Sequence, residues 1–303
     1  MSGHRILLIE SPTRLGVDLG RLCIQREGHP DTFVVPADIA VVCLHHHTIQ
    51  LSVHTLRVLA EAGAGVVVTD AFHQPCAWLL PTQGNNDIVR RLRQQIALDT
   101  NFRKAILWQH IVQTRLRTQA ANLRALNRKG ALRLERLAKE TQPSDSGKTE
   151  SQGARHYWPR LFTPGFKRNK HGAQDSINAR LNFGYAVLRS MIARALVMAG
   201  LNPSLGLGHC SIENPFNLAD DFIEPYRFLV ERQVVQGEKS EFDAISRKRL
   251  LRFVESEVRL NGADYRLPAA ITETVASFLR ILDGRSDVLA LPENAQPPYK
   301  ALE

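Results

Sequence analysis

TQGNNDIVRR, residues 82–91, is where the sequence changes its period, and that change sets the fold class. The segment is polar and rich in turn formers. Upstream of it, apolar residues come in short runs (Arg5 to Ile9, Thr32 to Val35, Ile39 to Leu44, Gly65 to Val68, Ala77 to Leu80) separated by Gly, Pro and Asp. That is the punctuation of strands and turns. One interval, VHTLRVLAEAG from Val53, is spaced as a helix, with Leu56, Leu59 and Ala60 on one face and Gly63 as its stop. Downstream, Ile88, Leu92 and Ile96 open a helical spacing that persists. The pattern predicts an α+β chain: an N-terminal β-rich domain with one helix over 1–85, a linker at 86–93, and a larger all-α C-terminal domain over 94–303.

The outer bounds agree with a globular protein. The chain of 303 residues can bury a large core and can divide into two domains. It has no run of 18 uncharged apolar residues, so no membrane span is expected. The N-terminal MSGHRILLIES is too short in its apolar part to read as a signal peptide. Cys23, Cys43, Cys76 and Cys210 are far apart, without a CxxC pair, and read as reduced thiols of a cytoplasmic protein. A net charge of +9 points toward a polyanionic partner.

The charge is unevenly spread. A run from about 102 to 140 carries Arg103, Lys104, Arg115, Arg117, Arg124, Arg128, Lys129, Arg133, Arg136 and Lys139 against Glu135 and Glu140. A solvated helix usually mixes signs, so this one-sidedness predicts contact with backbone phosphates. A second basic loop, RLFTPGFKRNKHGAQDS, sets Arg160, Lys167, Arg168, Lys170 and His171 beside Phe162 and Phe166. Two readings fit it: a grip on nucleic acid by charge and stacking, or a loop anchored to the core by its phenylalanines. His45-His46-His47 cannot all reach one ion, because consecutive strand residues point to opposite faces.

SINARLNFGYAVLRSMIARALVMAG (176–200) is a helix with Ile177, Leu181, Tyr185, Leu188, Ile192 and Leu196 as its buried stripe. Two further helices are expected at about 241–260 and 268–283. Directly after the 176–200 helix and ahead of these two lies the chemistry-bearing stretch LNPSLGLGHCSIENPFNLADDFIEPYRFLVER (201–232). Its glycines deliver His209, and a helical reading puts Asp221 and Glu224 on one face. An imidazole with same-face carboxylates suits a hard divalent cation, Mg²⁺ or Mn²⁺; the stretch alone fits equally a helix whose acids are solvated, with His209 a satisfied loop residue. His209 would bind as neutral imidazole, its other ring nitrogen held by Asp221 or Asp220. Pro225 either bends a continuing helix so as to aim Glu224, or sits in the first turn of a helix that begins near 224. Glu150 stands in the first turn of another predicted helix.

ESQGARHYW, DSINARLNFGYAVL, LNPSLGLGH and NPFNLADDFIEPYR, in this order, resemble the CRISPR adaptation integrase, the family called Cas-one, most of all its type II branch. TIQLSVHTLRVLAEAGAGVVVTDAFHQPCAWLLP is similar to that family's N-terminal strand-helix-strand core. The sequence departs from many members at Ser151 and Gly153-Ala154, after the glutamate, and at Cys210. The resemblance implies an N-terminal dimerisation domain and a helical domain with a metal site. It places metal ligands and catalytic residues at Glu150, His209 and Glu224, and an accessory acid at Asp221, with Asp220 beside it. It implies Mg²⁺ or Mn²⁺ as cofactor. As partners it implies DNA with 3′ ends and the CRISPR repeat, a homodimer, a dimer of the Cas-two protein and the type II effector nuclease. The expected activity is metal-dependent joining of fragment 3′-hydroxyls into the array, with endonuclease activity. DNA contact is expected from Arg124, Arg128, Arg160, Lys167, Arg168 and Lys170. A catalytically weak scaffold that only positions DNA is the other function class. A preserved ligand set argues against it.

Overall fold

A computed structural model describes residues 5–69, 75–81, 87–163, 165–169, 175–237 and 242–293. The chain opens with β1 (Arg5–Ile9), which lies parallel to β5 (Ile39–Leu44). β5 in turn lies parallel to β7 (Gly65–Thr69), and β8 (Pro75–Leu79) closes that sheet antiparallel, in the order β1-β5-β7-β8. A second sheet has the order β4-β3-β2-β6, from β4 (Thr32–Val34), β3 (Arg21–Gln25), β2 (Arg14–Asp18) and β6 (Gln50–Leu51). β2 and β3 were not apparent in the sequence. They form a hairpin through Leu19 and Gly20, both at positive φ (46° and 74°), the geometry of a tight two-residue turn. The helix α1 (Val53–Glu61) starts where Ser52 Oγ accepts the Thr55 amide at 3.2 Å.

The strands of β5 face two cores. Ile39 and Val42 join Ile9, Leu15, Leu22, Leu59 and Val66 between the two sheets. Ala40, Val41, Cys43 and Val67 turn instead into the core of the helical part. Strand side chains alternate strictly, so 40 and 41 on one side require an irregularity, and the β1–β5 register does shift there.

The helical part follows. The linker expected at 86–93 is helix from its third residue: α2 spans Ile88–Asp99. The single long basic run is two helices, α3 (Phe102–Ala125) and α4 (Ala131–Glu140), broken where Asn127 and Gly130 take positive φ (53° and 108°). α5 (Thr149–Leu161) and α6 (Ser176–Met198) come next. α6 is buried on nearly every side, so its buried residues extend beyond the single stripe read from the sequence and include Asn178, Arg180, Asn182 and Ser190. Then α7 (Asn217–Ile223), one 3-10 turn (Glu224–Tyr226) and α8 (Arg227–Gly237) run consecutively. The expectation of a helix to 260 needs correction. α9 (Ala244–Leu250) and a 3-10 stretch end at Glu255, and β9 (Glu257–Leu260) pairs antiparallel with β10 (Ala263–Arg266). The C-terminal part is therefore mostly, not wholly, helical. α10 (Leu267–Leu282) completes it. Among the described residues no helix is long and apolar enough to cross a membrane.

Candidate active site

Glu150 owes its position to Asp145. Lys148 turns the chain at φ 52°, and α5 begins with bare backbone amides that need acceptors. Asp145 Oδ1 accepts from the Thr149 amide (2.7 Å) and hydroxyl (2.6 Å), and Oδ2 accepts from the Glu150 amide (3.1 Å). Gly153, one turn on, lets α5 lie against α3. A Cβ there would come 2.2 Å from Leu116 Cδ2. Across that contact Glu150 Oε1 meets Arg115 Nη1 at 2.5 Å.

The glycine-rich approach to His209 wraps the Asp221 carboxylate. Asp221 has no exposed surface. Its Oδ2 accepts from the Leu207 amide (2.5 Å) and the Gly208 amide (3.2 Å). Its Oδ1 accepts from the His209 amide (2.9 Å) and faces His209 Nδ1 at 2.8 Å. Side chains would not fit here. A Cβ on Gly206 would stand 2.2 Å from the His209 carbonyl oxygen, and one on Gly208 the same distance from the Trp108 ring. The choice left open between two acids is thus decided: Asp221 orients His209, while Asp220 accepts from Arg189 Nε (2.7 Å) and Asn214 Nδ2 (2.8 Å). Pro225 lies in the 3-10 turn that joins α7 to α8, so the continuing, altered helix is the correct reading and Asp221 lies inside α7.

Arg115 stands at the centre. Read from sequence as one of many phosphate-facing cations, it is instead 3% exposed, with its guanidinium between two acids. Its Nη1 contacts both Glu150 Oε1 and Glu224 Oε2. Glu224 is 2% exposed, and its Oε1 lies 3.1 Å from Arg227 Nη1. Burial works against the Arg115 charge, but Glu224 and then Glu150 outweigh it and hold the guanidinium firmly protonated. For His209 burial pushes the pKa down. The hydrogen bond and charge of Asp221, with Glu224 and Asp220 behind them, push harder and raise it. The structure therefore brings Glu150 and Glu224 onto one cation, with His209 within reach of the Glu224 charge. Among the described residues, no three His, Cys, Asp or Glu side chains stand together as a ready metal cage.

Four functional neighbours escaped the sequence reading: Arg115, Asp145, Arg227 and Glu231. Only Arg115 left a signal. Trp108, Val112, Arg115, Gln119 and Asn122 are all buried and fall at helical spacing, so the arginine sits in the core-facing stripe of α3. Behind it, fully buried Glu231 accepts from the hydroxyls of Tyr157 (2.6 Å) and Tyr185 (2.8 Å). Arg227 lies over the Tyr185 ring, 4.7 Å from its centroid.

The basic residues expected to meet DNA divide into two groups. Arg128, Arg160 and Lys167 are exposed, as is Arg124, which pairs with Glu135. Arg168 turns inward: its Nη1 and Nη2 donate to Asn178 Oδ1 (2.9 Å) and Asn182 Oδ1 (2.6 Å), and it covers Tyr185. Lys170 lies outside the described residues. Phe162 stacks on Trp158 and touches Phe166, so the loop is anchored to the core rather than displaying rings for bases. The histidine triplet follows β5 rather than lying in a strand: His45 packs edge-on to Phe183, while His46 and His47 stack on each other, so the strand alternation used in the sequence reading does not apply there.

Residues 6–241 match the family described as CRISPR associated protein Cas1. A CRISPR-associated endonuclease Cas1 of Neisseria meningitidis is 36% identical over 95% of this chain and 96% of its own length. Among solved structures, a casposase bound to integration product has the same fold, with a TM-score of 0.81 over 98% of this chain and 97% of its own at 17% identity. A Cas1 protein from Thermotoga maritima superposes with a TM-score of 0.77 at 13% identity, covering 93% of this chain and 98% of that one. A Cas6-RT-Cas1–Cas2 complex gives 0.75 at 17% identity over 98% of this chain, which spans 37% of that longer one.

Proposed function

We propose, for a chain that belongs to the Cas1 family of CRISPR-associated endonucleases and integrases, that its activity is divalent-metal-dependent transfer of a DNA 3′-hydroxyl onto a phosphodiester. The observation that carries this reading is the meeting of Glu150 and Glu224, from separate elements, on one cationic group. That position already belongs to a cation, and two carboxylates with one imidazole suit Mg²⁺ or Mn²⁺. Glu150, Glu224 and His209 would hold the ion. The chemistry such an ion supplies is polarisation of a phosphoryl oxygen and ionisation of the attacking hydroxyl.

The chain's own groups prepare that chemistry. Asp221 Oδ1 accepts a hydrogen bond from Nδ1–H, the tautomer of neutral His209 in which Nε2 carries the lone pair. Three backbone amides fix Asp221, which fixes the ring. Asp145 fixes the turn that carries Glu150. The surfaces around Arg128, Arg160 and Lys167, together with Arg124 and Lys170, bind backbone phosphate without reading sequence. The partners proposed are DNA, a second copy joined through the N-terminal β-rich part, a Cas2 dimer and the type II effector nuclease. Among relatives, the casposase bound to integration product and the Cas6-RT-Cas1–Cas2 complex support the DNA and Cas2 parts of this proposal.

The test measures strand transfer on branched DNA, DNA affinity and melting temperature for Glu150→Ala, His209→Ala and Glu224→Ala, in Mg²⁺ and in Mn²⁺. Strand transfer should vanish in each, with double variants no worse than singles, because groups that act as a unit fail together. DNA affinity should persist. Near-normal transfer in the Glu150 or Glu224 variant would leave a DNA-positioning scaffold as the function.

A further inference from the structure

We infer that Arg115 is an internal counter-cation that holds the Glu150–Glu224 pair in the metal-free protein and competes with the divalent cation for the same carboxylate oxygens. This rests on the metal-site reading above.

Its first support is position. The guanidinium is 3% exposed and arises from the buried stripe of α3, so it is built into the site rather than folded over it from the surface. One nitrogen, Nη1, touches an oxygen of each acid. The remaining Glu224 oxygen faces Arg227. Both Glu224 oxygens and one Glu150 oxygen are thus already engaged by cations, and an incoming ion must take at least one of them from Arg115.

Charge gives the second support. Two carboxylates, Glu150 and Glu224, face two guanidiniums, Arg115 and Arg227. These four side chains balance one another without metal. A dication added while both arginines stay would stand against two guanidiniums that hold the same carboxylates, and like charges repel strongly there. Binding is relieved if Arg115 swings off the acid pair. Glu231 is a third carboxylate whose charge acts on the guanidinium, and it is held by Tyr157 and Tyr185 rather than by the metal-site acids. Loading of the ion, and with it assembly of the site, then requires Arg115 to exchange one set of carboxylates for another.

The test titrates Mn²⁺ into the full-length protein and follows free Mn²⁺ by its paramagnetic resonance. The proteins compared are wild type, Arg115→Met, Arg115→Lys and Glu150→Ala. Removing the competing charge should tighten Mn²⁺ binding by about tenfold or more, since one unit charge at contact distance is worth at least that ratio. Arg115→Lys should show a smaller gain, because a point ammonium cannot bridge two acids as a guanidinium does. A purely structural arginine predicts the reverse, weaker binding in both variants, and that result overturns the inference. Should Arg115→Met fail to fold by circular dichroism, Arg115→Lys decides alone: affinity equal to or below wild type overturns the inference. Loss of Mn²⁺ binding in Glu150→Ala with unchanged affinity in the Arg115 variants would overturn the competition and spare the metal site. Equal uptake by wild type and Glu150→Ala would overturn both.

Discussion

Glu231 shows how a single buried acid is tuned by what surrounds it. Burial raises its pKa, and the hydroxyls of Tyr157 and Tyr185, with the charges of Arg115 and Arg227, pull it back only in part. The folded chain thus holds this proton more tightly than the unfolded chain does. Stability from this group is fully present below the ordinary carboxylate pKa and is lost as pH rises from there through the raised folded value. Glu231→Gln removes that titration while keeping an acceptor for one tyrosine. Its melting temperature relative to wild type should therefore climb between pH 4 and pH 7, whereas a flat difference would show that Glu231 ionises in the fold as it does in water. Residues of this kind are not legible in sequence. Glu150, His209 and Glu224 were singled out because local motifs carry them; Asp145 acts only four and five residues on, through a turn whose geometry the sequence does not spell out, and Glu231 acts through tyrosines far along the chain. Arg115 was misread since ten cations in one run look alike until the buried stripe of α3 is drawn through them.

At the scale of elements, the crossing of α5 on α3 decides whether Glu150 reaches its partner. Gly153 makes the close approach possible, with Leu116 filling the space a side chain would need. Gly153→Ala gains roughly 1 kcal/mol of helix propensity but overfills a packed contact at a cost of typically about 1–3 kcal/mol. The second effect should win. Thermal denaturation should show a net loss, and strand transfer should fall as well because Glu150 rides on the displaced helix. In the sequence this glycine stands out only as part of a departure from many family members; its value lies in a neighbour the sequence does not show. Long, strongly periodic elements such as α6 were legible, and so were the apolar strands β1, β5 and β7. The hairpin of β9 and β10 was missed although Asn261-Gly262 marks it, both at positive φ (48° and 78°). Its flanks, rich in Glu, Arg and Leu, are good helix formers, and tertiary pairing overrode that preference. β2 and β3 were hidden because each offers only three apolar or glycine residues in a row, 15–17 and 22–24, between the polar or charged ends Arg14, Asp18, Arg21 and Gln25.

For the molecule as a whole, the excess of +9 should be read out in salt. DNA affinity should fall steeply with ionic strength, and each phosphate contact removed should flatten the slope of log K against log salt by about 0.9. Arg128→Glu and Lys167→Glu, both at exposed positions, should do this without lowering the melting temperature. Arg168→Glu should lower it, because Asn178 and Asn182 hold that side chain inside. Affinity indifferent to salt would sink the phosphate reading of the basic surface. The division of the chain has its own consequence. Ala40, Val41, Cys43 and Val67 of the parallel sheet share a core with Leu188, Ile192 and Leu196 of α6, and Trp78 Nε1 donates to Ser190 Oγ at 3.0 Å. The two parts are therefore not modules that selection could shuffle separately. Encoded as two open reading frames divided between Pro81 and Asp87, they would be obligate subunits, each needing the other during synthesis to bury the face they now share.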